Sequence, residues 1–148
     1  MSVSQAQQLA DIRGRILTLL LDGPQLVEQL LNPPSSPDES TAEIQAQIAS
    51  LRQDLTLLHA ADIADILEAL PEDERQALWR LVDNSRRGQV LVEPSETVWE
   101  SLTEGMSDKE ILQAIAPLDI DDQAYLARYL PRDLTGRLLA SLDPALRA

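Results

Sequence analysis

Apolar positions recur with a helical rhythm along most of the chain. Between Ser4 and Leu21, the residues Leu9, Ile12, Ile16, Leu19 and Leu20 fall on one face and predict a first helix. Gly23-Pro24 breaks it. Pro24 can open a short second helix through Leu30 or Leu31, because the first turn does not need the missing N–H. "NPPSSPDE", Asn32 to Glu39, carries three prolines and two serines and reads as a linker. Ser40-Thr41-Ala42-Glu43 then has the pattern of a capping box, with Ser40 as N-cap and Glu43 reaching back. The helix behind it carries Ile44, Ile48, Leu51, Leu55 and Leu58, spaced 4, 3, 4, 3 into one apolar seam.

From Leu58 onward the helices shorten and a repeat emerges. Laying Leu70-Pro71 over Leu130-Pro131, an offset of 60, brings Leu58 onto Leu118, Asp62 onto Asp122, Ala64 onto Ala124, Asp73 onto Asp133 and Leu78 onto Leu138. Each copy reads helix, Leu-Pro, helix, with the proline opening the second helix. His59 and Asp119 take the same N-cap position. Between the copies, "GQVLV" predicts a short helix or turn, "PSETVWESL" a helix opened by Pro94, and "SDKEILQAIAPL" a helix with a second capping box, Ser107 and Glu110. That last helix should carry Ile111, Leu112, Ile115 and Leu118 inward. The expected fold is all-α: a right-handed superhelix, or solenoid, of about eight to ten short helices, each burying its apolar face on its neighbours. The stripe Ile63, Ile66, Leu67, Leu70, Leu78 and Leu81 should be buried, with Ile111, Ile115, Leu126, Leu130 and Leu138.

Composition supports this picture. The 148 residues include no Phe and only two Trp and two Tyr, so the core must be aliphatic. Strand-type runs are missing apart from Val90-Leu91-Val92, which predicts at most a stray bridge. There is no cysteine, which excludes disulfides, thiol catalysis and Cys-based zinc sites. No apolar run approaches the roughly 20 residues of a membrane span, and the N-terminus lacks the layout of a secretory signal. The formal net charge of −13 disfavours nucleic acid and anionic lipid and favours cations or basic protein surfaces.

Catalytic chemistry finds little support. His59 is the only imidazole and stands at a helix start. The five glycines are isolated, so no phosphate-binding loop forms. Carboxylates are abundant, but none is expected among apolar or aromatic residues that would raise its pKa for acid catalysis. Their density remains as a feature. Between Glu93 and Asp122, nine acids face Lys109 alone. A second cluster comprises Asp62, Asp65, Glu68, Glu72, Asp73 and Glu74, and Asp62 and Asp65 share a helical face. Such clusters suit a hard divalent cation that keeps its water, or simply form a solvated acidic face that opposes the helix dipole.

"LHAADIADILEALPEDER", "GQVL" and "LDIDDQAYLARYLP", in this order, resemble the cytoplasmic N-terminal domain of MgtE-type magnesium transporters, from about Leu55 to the C-terminus. The resemblance divides the chain into N-terminal helices with a Pro/Ser-rich linker, 1–39, and the superhelical domain, 40–148. It implies a non-enzymatic regulatory domain that senses intracellular Mg²⁺ through acidic surfaces and gates ion transport. Its partners would be the CBS domain pair and membrane domain of the same homodimeric transporter, with no nucleic acid. It would work at the cytoplasmic face of the cell membrane and be soluble when alone. The family's acidic pair at a helix start corresponds to Asp121 and Asp122. The acid expected one turn later is replaced by Tyr125, and Asp119 offers a substitute. Asp119, Asp121 and Asp122 are therefore the first expected Mg²⁺ ligands, weak and interfacial, with Asp62 and Asp65 second. The chain stops at "SLDPALRA", where the CBS pair should begin, which favours an excised domain. The competing expectation is a free-standing acidic helical-repeat adaptor that binds a basic protein surface without metal.

Overall fold

The computed structural model describes residues 3–33 and 41–141, and these form ten α-helices and no strand. Helix count and all-α class agree with the periodicity, and "GQVL" is helical. No described helix is long and apolar enough to cross a membrane. The chain divides into two compact units, Met1–Val82 and Asp83–Ala148.

The first unit holds α1 (Val3–Leu21), α2 (Pro24–Leu31), α3 (Ala42–Thr56), α4 (Ala60–Ala69) and α5 (Glu72–Leu81). The α1 stripe buries Ile12, Ile16 and Leu20, while Leu9 and Leu19 stay half-buried at its edges. Pro24 opens α2, which packs on α5, α1 and α3. The α3 seam buries Ile44, Leu51, Leu55 and Leu58; Ile48 is only half-buried. Its cap differs from the expected box. Thr41 is the N-cap, its hydroxyl accepting from the Ile44 N–H at 3.1 Å, so the helix starts one residue later and Glu43 is out of register for the reciprocal bond. Ser40 itself lies outside the described residues. Ile63, Ile66, Leu67, Leu70, Leu78 and Leu81 are all buried, as their spacing predicts.

Two polar devices in this unit escape a periodicity reading. Asp54, in the α3 seam, is buried and takes two hydrogen bonds from Arg15 of α1, at 2.9 Å from Nη2 and 3.3 Å from Nε. This charge-assisted, two-point contact satisfies a carboxylate that would otherwise be stranded in the apolar interior. Arg75 of α5 donates to the Leu67 and Leu70 carbonyls at 2.9 and 3.0 Å, closing the C-terminal turn of α4.

The second unit holds α6 (Asn84–Leu91), α7 (Glu96–Glu104), α8 (Asp108–Ile115), α9 (Ile120–Ala127) and α10 (Arg132–Ser141). Pro94 precedes rather than opens α7: Ser95 is the N-cap, accepting from the Val98 N–H. The Ser107–Glu110 box forms as expected, with both reciprocal hydrogen bonds. Helices α6 and α8 cross closely at Gly88, where an added Cβ would lie 2.0 Å from the Ala114 carbonyl oxygen, so only glycine permits this approach. Ile111, Ile115, Leu126 and Leu130 are buried, while Leu112 and Leu118 are half-buried. Leu138 lies outside the described side chains.

Candidate metal-sensing surfaces

The first candidate surface is the start of α9. Asp119 is its N-cap, with Oδ1 accepting from the Asp122 N–H at 3.0 Å. Asp119 and Asp121 are exposed and Asp122 is half-buried. Three carboxylates thus crowd one helical turn. The Asp122 pKa is raised above the ordinary value, first by burial, then by the charge of Asp119, its side-chain hydrogen bond with Asp119, and the charge of Asp121. One oxygen of Asp119 is committed to the backbone, which leaves it less able to replace a missing ligand.

Tyr125, one turn on, has no carboxylate and joins an aromatic cluster. Its ring meets Tyr129 edge-on at 5.8 Å, and Tyr129 lies 5.2 Å from the buried Trp99. The Arg128 guanidinium covers both tyrosines, 4.9 Å from the Tyr125 centroid and 5.4 Å from that of Tyr129. A fixed cation is therefore held about two turns beyond the acidic pair. The Tyr125 pKa is raised, chiefly by its hydroxyl contact with Tyr129 at 3.4 Å. The sequence contains the signal for this cluster, since Tyr125 and Tyr129 are spaced i, i+4. Only the tertiary structure adds Trp99.

The acidic run from Glu93 to Asp122 is better compensated than Lys109 alone implies. Arg137 approaches Asp108 at 3.4 Å, and Arg87 approaches Glu110 at 3.8 Å. Both arginines come from distant sequence positions.

The second candidate surface lies in the first unit. The Asp62 carboxylate accepts from the His59 N–H at 3.3 Å at the start of α4. Asp62 and Asp65 line one depression, as their shared face predicts, together with Leu9, Ala10, Arg13, Leu58 and Ile66. Helix α1, distant in sequence, brings Leu9 and Arg13 to them. The structure does not gather either set into a cage. Among the described residues, no three Asp, Glu or His side chains converge as metal ligands. The start of α9 fits a hydrated divalent ion held through water by one or two carboxylates, not an enclosed ion.

No curated protein matches the chain. Residues 58–148 match the family model of the MgtE intracellular N domain. That match covers the helix–Leu-Pro–helix copies, the crossing of α6 and α8, and the acidic start of α9, and the chain belongs to the family of N-terminal domains of MgtE-type transporters.

Proposed function

We propose that this chain is a regulatory domain that senses intracellular Mg²⁺ for an MgtE-type transporter and biases ion transport through its acidic surfaces. The observation carrying this reading is the crowding of Asp119, Asp121 and Asp122 into the first turn of α9, inside the family-matched residues. Like charges held this close repel one another and any acidic surface brought against them. A divalent cation lowers that repulsion and favours the apposed state. Apposing surfaces would come from a CBS domain pair and a membrane domain in a homodimeric transporter, at the cytoplasmic face of the membrane.

Because the chain supplies only part of each interfacial site, it should bind Mg²⁺ in the millimolar range, about −4 kcal/mol. Binding should weaken with added monovalent salt, since exposed carboxylates are screened. The test is an NMR-followed Mg²⁺ titration of wild type and the Asp121→Asn/Asp122→Asn variant. Saturable shifts centred on residues 119–122, lost in the double variant, support the reading. Shifts spread evenly over all acidic surfaces refute it, and micromolar affinity contradicts an open, partial site.

A further inference from the structure

A groove in the first unit has chemistry unlike that of a metal site. It consists of two depressions sharing Leu9. One, of about 260 Å³, is lined by Leu58 and Ile66 with Asp62, Asp65 and Arg13 on its walls. The other, of about 270 Å³, is lined by Ile12 and Leu57 with Gln5, Gln8 and His59. Each is smaller than the ~300–1,000 Å³ typical of small-molecule sites, which suits single side chains better than a free ligand. Leu57 is 53% exposed, one of few large apolar side chains left in water among the described residues.

Apolar walls and a guanidinium are poor company for Mg²⁺, which prefers oxygen and its own water. They suit a long cationic side chain, whose methylene stem lies on Leu9, Leu58 and Ile66 while its charge meets Asp62 and Asp65. Two carboxylates against Arg13 leave that depression acidic. The neighbouring depression, lined by Leu9, Ile12 and Leu57 with two glutamines and His59, lacks acids and suits an apolar side chain. We infer that the groove docks an amphipathic basic segment of a partner chain, with a Lys or Arg in the Asp62–Asp65 depression and an apolar residue beside Leu57, straddling Leu9. Helix α1, which forms one wall, lies outside the residues matched to the family, whereas Leu58, Asp62, Asp65 and Ile66 lie inside them.

The probe is a fluorescein-labelled amphipathic helical peptide of Leu and Lys, with a control in which every Lys is Glu. Binding is read by fluorescence anisotropy against the full chain in metal-free buffer. The basic peptide should bind saturably and the acidic one should not. Leu57→Ser and Asp65→Asn, both at exposed positions, should each weaken binding about fivefold or more, whereas Glu96→Gln in the second unit should leave it unchanged. Circular dichroism confirms that each variant folds. Equal losses in Asp65→Asn and Glu96→Gln would reduce the interaction to general charge attraction and overturn the inference. So would equal binding of the acidic peptide. Self-association of the chain that Leu57→Ser abolishes, without saturable peptide binding, would assign the groove to a second copy instead.

Discussion

The two helix–Leu-Pro–helix copies, beginning at His59 and Asp119, share a pattern and differ in how they meet it. In both, the proline carbonyl accepts the first helical hydrogen bond, from Arg75 in one and Thr135 in the other, at 2.8 and 2.9 Å. In both, the leucine before the proline is buried. The first copy buries Ile63, Ala64, Ile66 and Leu67 on a ten-residue α4. The second buries only Gln123 and Leu126 on an eight-residue α9. Ile63 is matched by Gln123, whose amide is buried and donates to the Ala116 and Ile115 carbonyls at 2.9 and 3.5 Å. Arg75, which closes the end of α4, is matched by Thr135, whose hydroxyl donates to the Pro131 carbonyl of its own turn. A repeat thus preserves backbone turns while exchanging apolar burial for polar satisfaction. The first copy rests on packing. The second replaces part of that packing with one buried amide.

The largest test of this contrast pairs Ile63→Ala with Gln123→Ala. The first should cost about 2–5 kcal/mol through lost packing and a cavity. The second should cost about 1–3 kcal/mol, because carbonyls at the end of α8 lose their donor. Urea unfolding measures both. A greater loss at Gln123 would reverse the contrast, making the polar copy the more dependent one.

A smaller pair compares two glycines. Gly88→Ala should cost about 1–3 kcal/mol, since the new Cβ meets rigid backbone at Ala114 and α6 must move from α8. Gly14→Ala, in α1, meets nothing within 4 Å and should stabilise by about 0.5–1 kcal/mol through helix propensity. Thermal unfolding of both variants gives the signs. A neutral Gly88→Ala would mean that the α6–α8 crossing yields readily.

The smallest effect concerns protonation at the second copy. Because the folded state raises the Asp122 pKa, its neutral form is the one the fold favours. That contribution is fully present below the ordinary carboxylate value of 3.8 and is lost as pH rises through the raised folded value. Asp122→Asn should therefore leave stability unchanged in acid and increase it slightly near neutrality. Unfolding curves of variant and wild type across pH check this, and NMR titration of the Asp122 carboxyl should place its midpoint above the usual range. If Mg²⁺ engages this turn, the midpoint should fall as the ion is added.

Much of the helical order was legible in sequence because helix boundaries are local events. Pro24, the Ser107–Glu110 box and the His59 and Asp119 caps act on backbone within a few residues, and each stands where its spacing predicts. Misreadings were local competitions between adjacent candidates. Thr41 takes a cap expected at Ser40, and Ser95 caps a helix expected to open at Pro94. The candidate site was less legible. Asp62 with Asp65, and Asp119 with its neighbours, could be grouped by helical spacing. Their surroundings could not, because Arg13 lines the Asp62–Asp65 depression from a distant part of the chain, and Arg87 and Arg137 approach Glu110 and Asp108 from more than 20 residues away.

By itself, the sequence determined that the chain is helical, aliphatic in its core, acidic at its surface and built on a repeated helix–Leu-Pro–helix unit. These properties follow from periodicity, side-chain type and turn chemistry, all of which act over a few residues. Only the tertiary structure decided which charges are neighbours. It set Arg15 against the buried Asp54, laid Arg128 over the tyrosine that stands where an acid was expected, and placed Leu9 and Arg13 beside Asp62 and Asp65. Charge acts through space rather than along the chain, so the character of an acidic surface depends on which distant side chains the fold brings to it.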